Sequence, residues 1–227
     1  MKEKKIAAEY AVDYIEDGMI IGIGTGSTVS FMLNKLYQRI RDGLNITAVS
    51  TSATTNKLAT SMGIKISKLN EIDEIDLTID GADEVDENLN GIKGGGGALL
   101  YEKIVASISK KNIWIVDSTK LVKTLGKFPL PVEVVQFGCH HLIKEFEKKG
   151  YKPGFRNKGG NRFITDDNNY IIDLRMDKIE NPVELDISLK HHPGVVETGL
   201  FCNIADLVLV GVGETVKIIN KKKRGQT

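Results

Sequence analysis

The stretch MIIGIGTGSTVSFMLNKLYQRIRDG, residues Met19 to Gly43, joins an apolar run to a glycine-rich turn and then to a helical pattern. The run MIIGIG predicts a buried strand, because it is short, apolar and interrupted only by glycine. The segment STVSFMLNKLYQRIRDG predicts an amphipathic helix that ends at Gly43. A buried strand followed by a helix is the repeating unit of a parallel α/β sheet.

The same alternation extends on both sides of this unit. Predicted helices cover Lys2–Asp17, Ala53–Gly63 and Ala98–Lys111, and predicted strands cover Asn45–Ser50, Ile64–Leu69, Ile75–Asp86 and Asn112–Lys120. The run ADLVLVGVG near the end of the chain predicts one more strand of the same sheet. The pattern therefore predicts an α/β fold with a Rossmann-like, mostly parallel sheet and helices on both faces.

The pattern changes at Phe128, where strands and helices mix without the regular alternation. The turn signal DDNN, Asp166 to Asn169, separates the short runs FIT and YIIDL and predicts a hairpin. We expect a smaller α+β module, of ferredoxin-like type, over residues 128–202. It is inserted into a catalytic α/β domain made of residues 1–127 and 203–227.

Charge and composition narrow the classes of partner. Of the 227 residues, 31 are lysine or arginine and 30 are acidic, so the net charge is only +1. Such a chain has no bulk attraction for nucleic acid or for an anionic membrane surface. No apolar run approaches the roughly 20 residues of a membrane span, and MKEKKIAAEY lacks the apolar core of a signal peptide. With only two cysteines, Cys139 and Cys202, the sequence predicts a cytoplasmic protein without membrane or nucleic-acid partners.

The turn GIGTGSTV, Gly22 to Val29, leads from a strand into a helix, where free backbone N–H groups attract an anion. Its candidate ligands for a phosphate are Thr25, Gly26, Ser27 and Thr28. The turn is not a dinucleotide fingerprint, because Ser27 occupies the place of the third glycine, and no lysine precedes the hydroxyl residues as in a Walker loop. A tight turn with an N-cap explains the same residues equally well.

Polar residues also follow three other predicted strands, in STSATT (Ser50–Thr55), DGAD (Asp80–Asp83) and DSTK (Asp117–Lys120). The carboxyl ends of parallel strands meet at one edge of a sheet, which is where α/β proteins bind ligands. Four polar turns at one edge predict a pocket more strongly than any single turn does. Helix capping alone would account for STSATT.

Acids, a lysine and glycines cluster after the strand that ends in DGAD. Asp80 and Asp83 are two nearby carboxylates, which suits proton transfer, although aspartates beside glycine more often serve as turn residues. Lys93 directly precedes four consecutive glycines, and such a run costs backbone entropy that an ordinary loop would avoid. The N–H groups of these glycines, with the charge of Lys93, would stabilise a developing oxyanion.

Glu102 follows in the first turns of the next helix, where an acid is ordinary by itself. The combination with the phosphate-type turn is less ordinary. It favours proton transfer beside a carbonyl of a small phosphorylated compound.

These residues resemble the type A ribose-5-phosphate isomerases. The motifs that carry the resemblance, in family order, are GIGTGST, STSATT, TIDGADEVD, IKGGGGALLYEKIVA, VDSTK, LPVEV and FITDDNNYIID. The resemblance implies an enzyme that interconverts D-ribose 5-phosphate and D-ribulose 5-phosphate through a cis-enediolate, in the non-oxidative pentose phosphate pathway. It also implies no cofactor and no metal, and a homodimer or homotetramer to which the inserted module contributes.

The resemblance implies roles for particular residues. Glu102 would be the base that moves a proton between C2 and C1, Asp80 and Asp83 would handle the hydroxyl protons and ring opening, and Lys93 would steady the enediolate oxygens. The implied substrate-binding positions are Thr25, Gly26, Ser27, Thr28, Asp80, Gly81, Ala82, Asp83, Lys93, Gly94, Gly95, Gly96, Lys120 and Lys5. Two positions depart from the family pattern, Tyr101 in place of an expected arginine and DSTK in place of an alanine-serine-lysine ending.

Other classes of protein share some of these features. A sugar-phosphate sensor domain of bacterial repressors has a similar fold, but the strand at Met19 begins too early for a preceding DNA-binding module. An acyl-CoA transferase has a glutamate beside a glycine turn, without the order DGAD then KGGGG. The basic run Lys221–Arg224 is more typical of a solvated tail than of a nucleic-acid site.

The remaining alternative is a metal site, with Cys139, His140, His141, His191 and His192 as candidate ligands. Neighbouring residues on a strand point to opposite faces, which disfavours this metal site.

Overall fold

The computed structural model describes residues 1–221, and its contacts divide the chain into two compact units. Unit 1 comprises Met1–Ala82, Tyr101–Leu121 and the chain from Ile204 onward, and unit 2 comprises Asp83–Leu100 and Val122–Asn203. The sequence predicted a module over residues 128–202. The second segment of unit 2, Val122–Asn203, begins six residues before that range and ends one residue after it, and the first segment, Asp83–Leu100, contains the glycine run. Most of the basic run Lys221–Arg224 lies outside the described residues.

In chain order, the α-helices of the described residues are α1 (Lys2–Ala11), α2 (Ser27–Arg41), α3 (Ala53–Ser61), α4 (Leu99–Ser107), α5 (Cys139–Lys148) and α6 (Pro182–Lys190). The strands are β1 (Ile20–Ile23), β2 (Thr47–Ser50), β3 (Leu77–Gly81), β4 (Glu84–Val85), β5 (Gly91–Ile92), β6 (Asn112–Asp117), β7 (Leu130–Val134), β8 (Pro153–Phe155), β9 (Asn157–Lys158), β10 (Asn161–Arg162), β11 (Tyr170–Leu174), β12 (Val195–Thr198), β13 (Leu200–Phe201), β14 (Leu207–Val212) and β15 (Thr215–Asn220).

Unit 1 is built on a six-stranded sheet in the order β15-β14-β6-β3-β1-β2. All neighbouring strands are parallel except the pair β14 and β15, which is antiparallel. Ile21 in β1 pairs with Ala48 in β2 and Leu77 in β3, so three apolar strands share one register. The predicted Rossmann-like, mostly parallel sheet is confirmed.

Helices cover both faces of this sheet. On one face α1 and α2 bury an apolar core against strand residues such as Ile21 and Ile79. Three alanines of α1 are completely buried, and a Cβ atom added to Gly211 in β14 would lie 2.0 Å from the carbonyl oxygen of Glu3. This close approach requires small residues on both elements. On the other face Val105 of α4 packs with Val49 of β2.

Unit 2 has the connectivity β7-α5-β8-β11-α6-β12 with an antiparallel sheet in the order β12-β7-β11-β8. This is the ferredoxin-like arrangement expected from the sequence. Its core contains Leu130, Val132, Phe146 and Ile172. A second small sheet in unit 2, with the order β13-β5-β4, carries the segment that leads into the glycine run.

Two local predictions differ from the structure, and one strand was missed. The predicted strand Ile64–Leu69 forms only one isolated bridge, from Ile66 to Ala48, so that prediction was wrong. The DDNN turn is present, but its hairpin is reduced to the single bridge between Ile164 and Tyr170. Strand β15 was not predicted.

None of the helices in residues 1–221 is both long enough and apolar enough to cross a bilayer.

Candidate active site

The glycine-rich turn of unit 1 lies between β1 and α2 and is shaped around one carboxylate. A Cβ atom added to Gly24 would lie 1.9 Å from Asp80 Oδ1, far inside contact distance. Only glycine therefore allows the turn to pass over this side chain. Gly26 has a φ of +122°, which residues with a Cβ atom rarely adopt. The two glycines thus have separate steric reasons to be there.

Asp80 occupies the carboxyl end of β3 and is only 3% exposed. Its Oδ1 atom accepts hydrogen bonds from the N–H of Thr25 at 3.0 Å and from the N–H of Gly81 at 2.7 Å. Backbone donors of this kind hold a buried carboxylate in one orientation. The predicted strand-end acid is therefore present, and it is almost completely buried.

Hydroxyl groups of the glycine turn and of STSATT form one cluster in unit 1. Thr25 Oγ1 lies 2.8 Å from both Thr51 Oγ1 and Ser52 Oγ. Ser52 Oγ accepts a hydrogen bond from Thr55 N–H at 3.1 Å, as the N-cap of α3. Thr55 Oγ1 donates to the carbonyl of Gly24 at 2.9 Å. The capping interpretation of STSATT is confirmed, and the cluster also ties the glycine turn to α3.

A lysine of α1 reaches the start of α2. Helix α2 begins at the exposed Ser27 and has no acid in its first turn, so its N-terminal dipole is available to an anion. Lys4 Nζ lies 3.4 Å from Ser27 Oγ and 3.9 Å from Asp117 Oδ2. Lys5, the residue chosen from the sequence, is exposed and lies 3.8 Å from Glu9 Oε1. The structure thus brings Lys4 to the turn, and the role of Lys5 stays a prediction.

Glu3, a residue that the sequence analysis missed, fixes the start of α1. Its carboxylate accepts hydrogen bonds from Gly213 N–H at 3.0 Å, from Ser118 N–H at 3.1 Å and from Ser118 Oγ at 2.7 Å. These bonds, that from Gly213 above all, favour the ionised carboxylate and hold the pKa of Glu3 below its usual value. Glu3 thereby joins α1 to the short turn Ser118–Lys120, in which Lys120 is half-buried.

Glu102 lies in the first turn of α4 and is 4% exposed. Val105, three residues later on the same face, approaches β1 so closely that a Cβ atom on Gly22 would lie 2.7 Å from Val105 Cγ1. Because α4 connects the parallel strands β3 and β6, its N-terminus points towards the carboxyl ends of the strands. Glu102 is therefore a buried acid on the sheet-facing side of α4, at the level where β1 ends.

Unit 2 contains the glycine run and the acid Asp83. Asp83 Oδ2 accepts a hydrogen bond from Gly95 N–H at 2.8 Å, and a Cβ atom on Gly95 would lie 2.6 Å from Asp83 Oδ1. Gly97 N–H donates to the carbonyl of Gly94 at 3.0 Å and closes a tight turn. Both of these outer glycines have positive φ, +97° for Gly94 and +85° for Gly97. The run needs glycine both for its backbone shape and for its contact with Asp83.

Lys93 is 3% exposed at the end of β5, and its ammonium group lies 5.1 Å from the centre of the Phe201 ring. A cation over an aromatic face is attracted by the ring quadrupole. The residue therefore has a defined position in unit 2 beside the glycine run.

Arg156 is a second residue that the sequence analysis missed. Its Nη1 atom donates to the carbonyl oxygens of Gly94 at 2.6 Å and Gly95 at 3.2 Å. The local sequence GFRNKGG carries no pattern that distinguishes this arginine from a surface residue.

The alternative metal site was not brought together. In residues 1–221, no group of three or more histidine, cysteine or acidic side chains is arranged to hold an ion. Cys139 is a free thiol in the core of unit 2. His191 Nδ1 and His192 Nδ1 contact carbonyls of α6, at 2.7 Å from Ile187 O and 2.9 Å from Ser188 O.

The strand ends of unit 1 carry a glycine turn, an open helix N-terminus and buried acids. These features define the class of open α/β proteins that bind a small anionic ligand at the carboxyl ends of their strands. Residues 47–215 match the family model of ribose 5-phosphate isomerase A, also described as phosphoriboisomerase A. The chain belongs to this family, which excludes the sensor-domain and acyl-CoA transferase alternatives.

Individual relatives agree with this assignment. The chain is 53% identical to the ribose-5-phosphate isomerase A of Streptococcus thermophilus strain CNRZ 1066 over 221 residues, which is 96% of this chain and 98% of the relative. The solved ribose 5-phosphate isomerase A of Methanocaldococcus jannaschii is similar with a TM-score of 0.91 and 40% identity, over 96% of this chain and 98% of that chain. A solved D-ribose-5-phosphate isomerase in complex with phospho-erythronic acid is similar with a TM-score of 0.92 and 41% identity, over 96% and 97% of the two chains.

Proposed function

We propose that this chain is an aldose–ketose isomerase that interconverts D-ribose 5-phosphate and D-ribulose 5-phosphate. The observation that carries the proposal is its similarity, along almost the full length, to proteins named ribose-5-phosphate isomerase A. One solved relative holds phospho-erythronic acid. This compound is a phosphorylated sugar acid, and its carboxylate shares with an enediolate a planar shape, two oxygens and a negative charge.

The phosphate of the substrate is assigned to the start of α2. The backbone N–H groups of Gly26, Ser27 and Thr28 and the helix dipole supply an anion site there, while the N–H of Thr25 is bonded to Asp80. Lys4, at 3.4 Å from Ser27 Oγ, adds a full positive charge, and Lys120 is a further candidate ligand. Phosphate binding at this turn provides binding energy that can be used at the reacting carbons.

Proton transfer is assigned to Glu102. In the forward direction its carboxylate takes the proton from C2 of the open aldose, and the electron pair of the C–H bond forms the double bond of a cis-enediolate. The same carboxyl group then returns the proton to C1, which leaves the ketose. Burial suits such a base, because a water-poor environment keeps the abstracted proton from exchanging freely.

The other predicted residues are assigned to the oxygens. Lys93 and the N–H groups of Gly94 and Gly96 supply positive charge to the enediolate oxygens, while the N–H of Gly95 holds Asp83. Asp80 and Asp83 handle the hydroxyl protons and ring opening. The contacts of Asp80 with Gly81 N–H and of Asp83 with Gly95 N–H support these roles, because each acid is held in one orientation.

The same proposal covers the location, the pathway and the assembly of the enzyme. We assign the enzyme to the cytoplasm and to the non-oxidative pentose phosphate pathway. We further propose that it is a homodimer or homotetramer that works without added cofactor or metal. Two free cysteines and the absence of a disulfide among residues 1–221 fit a reducing compartment.

The substitution Glu102→Gln tests the proposal. The amide is similar in size but cannot take up the proton, so kcat is expected to fall by roughly 10²- to 10⁴-fold while affinity for ribose 5-phosphate changes little. The measurement is ketose formation from ribose 5-phosphate in deuterated water, with the label followed at the exchanging carbon and affinity taken from calorimetry. Glu87→Gln, at an exposed acid, is the matched control. Turnover of the Glu102 variant close to that of the parent enzyme would remove Glu102 from this role.

A further inference from the structure

We propose that Arg156 and Asp173 form a positioning pair that holds the Gly94–Gly97 loop, and through it Asp83, in the geometry needed for isomerisation. The inference rests on the proposed function and extends it to two residues to which the resemblance assigns no role. Arg156 lies outside the family motifs, and Asp173 is the last residue of FITDDNNYIID. All of these residues belong to unit 2.

The first observation is the ion pair itself. Arg156 follows β8, and Asp173 lies in β11, the neighbouring strand. The Nε atom of Arg156 donates to Asp173 Oδ2 at 3.0 Å, and Nη2 donates to Oδ1. The two side chains are only 14% and 16% exposed. A bidentate, largely buried ion pair of this kind fixes the plane of the guanidinium group.

The second observation is what the remaining nitrogen of the guanidinium group does. Nη1 donates to the carbonyl of Gly94 at 2.6 Å and to that of Gly95 at 3.2 Å. The carbonyl oxygen of the peptide between Gly94 and Gly95 therefore contacts the positively charged guanidinium group of Arg156. At its N–H end, the same peptide donates to Asp83 Oδ2 at 2.8 Å.

These contacts form one continuous chain of hydrogen bonds. It runs from Asp173 to Arg156, then to the peptide between Gly94 and Gly95, and finally to Asp83. Positive charge at a carbonyl oxygen strengthens the N–H of the same peptide as a hydrogen-bond donor. This chain of hydrogen bonds thus fixes both the direction of the loop N–H groups and the orientation of the Asp83 carboxylate.

A run of four glycines makes such an external brace necessary. Glycine has the largest backbone freedom of any residue, so the loop has little conformational preference of its own. Phe163 adds a second restraint, because a Cβ atom on Gly97 would lie 2.4 Å from its ring, and its N–H donates to the carbonyl of Arg156 at 2.9 Å. The loop owes its shape to Asp83, Arg156 and Phe163.

Arginine is required at position 156 because the side chain makes two kinds of contact at once. Two of its nitrogens bind the Asp173 carboxylate, and the third binds the carbonyl oxygens of Gly94 and Gly95. Lysine carries a single ammonium group and cannot match both geometries. In Arg156→Gln we expect kcat to fall roughly 10- to 100-fold while KM changes less than about threefold, because oxyanion stabilisation is lost and phosphate binding is kept. Arg156→Lys should recover only a small part of the loss.

A positioning role is separated from a general loss of stability by two further readouts. Amide hydrogen exchange of residues 94–97 should become faster in Arg156→Gln without substrate, while exchange in β7 stays unchanged. In Arg156→Ala, added ethylguanidinium should restore part of kcat. Asp173→Asn, which keeps the arginine, should show a smaller kcat loss of about 3- to 10-fold and serves if Arg156→Gln does not fold.

Arg175→Gln is the matched control, because Arg175 is an exposed arginine just after β11. It should leave both kinetics and exchange unchanged. The inference is overturned if Arg156→Gln keeps its kcat within twofold, if its loss is entirely in KM, or if exchange of residues 94–97 does not change. Failure of the parent enzyme to isomerise ribose 5-phosphate would instead refute the proposed function, and the exchange measurement would still report on the brace.

Discussion

Lys4 and Lys5 are neighbours in the sequence with different surroundings in unit 1. Lys4 precedes the fully buried Ala7, Ala8 and Ala11 by three, four and seven residues, so it shares their face of α1. This spacing was visible in the sequence and favours Lys4 as the residue that reaches the glycine turn.

The contact between Lys4 and Ser27 leads to a prediction about binding. In Lys4→Gln the KM for ribose 5-phosphate should rise about tenfold with kcat little changed, because a charged contact to the phosphate is lost. The measurement is steady-state kinetics, with the exposed Lys57→Gln as control. If Lys5→Gln raises KM and Lys4→Gln does not, the choice made from the sequence was correct.

Acids and glycines of the candidate site were predictable one by one, and the residues that brace them were not. Asp80 follows an apolar strand and Glu102 begins a helix, which are local patterns. Glu3 and Arg156 act on backbone groups 115 and 62 positions away in the chain. No local pattern in a single sequence encodes such a pairing, because it exists only once the strands have been arranged in a sheet.

The predicted elements were most accurate where strand and helix alternate. The stretch from Met19 to Gly43 contains β1 and α2 as expected. The prediction failed at Ile64–Leu69, because apolar alternation there serves burial of Ile64 in the core, and only Ile66 pairs with the sheet, through a single bridge. Strand β15 was missed because its residues are mostly exposed, as in an antiparallel edge strand with one solvated face.

Glu133 is a buried acid in the middle of the unit 2 sheet, only 1% exposed. Its Oε1 atom accepts hydrogen bonds from Thr165 Oγ1 at 2.8 Å and from Asn169 Nδ2 at 3.0 Å, so it anchors the turn between β10 and β11. Burial raises the pKa of Glu133 above its usual value of 4.5, and the two hydrogen bonds oppose this only in part.

The raised pKa of Glu133 predicts a pH dependence of stability. The folded protein holds this proton more tightly than the unfolded chain, so the stabilisation is complete below pH 4.5 and is lost as the pH rises through the folded-state pKa. Glu133→Gln keeps an oxygen acceptor and removes the charge, so at pH 8 its Tm should equal that of the parent protein or exceed it by on the order of 2 °C. Thermal melts from pH 5 to pH 8 check this, with the exposed Glu145→Gln as control. A Tm of Glu133→Gln that is lower than the Tm of the parent protein at pH 8 would contradict the prediction.

At the scale of the whole molecule, the proposed assembly depends on the surface of unit 2. Phe137, just before α5, is 95% exposed, and Ile187 of α6 is 53% exposed. Large apolar side chains at such exposure are typical of protein–protein interfaces when they are contiguous. The test of the proposed homodimer or homotetramer therefore starts with these exposed residues of unit 2.

Phe137→Asp tests the proposed assembly. Burial of a charge at an interface is costly, so the dissociation constant between subunits should rise at least roughly tenfold. Light scattering over a range of concentrations measures it, and Leu58→Asp, at an exposed apolar residue of α3, is the control. A parent protein that is monomeric at all concentrations would refute the proposed assembly, and an unchanged variant would remove Phe137 from the interface.

Strand β6 pairs on one side with β3 and on the other with β14, and β14 follows the last residues of unit 2 in the chain. A nascent chain that has been translated only as far as Asn203 therefore cannot complete the neighbourhood of β6, whose apolar residues include Trp114 and Ile115. An unpaired strand edge is a template for association with other polypeptides. Synthesis of the inserted unit is thus the interval in which one edge of β6 is open to association with other polypeptides.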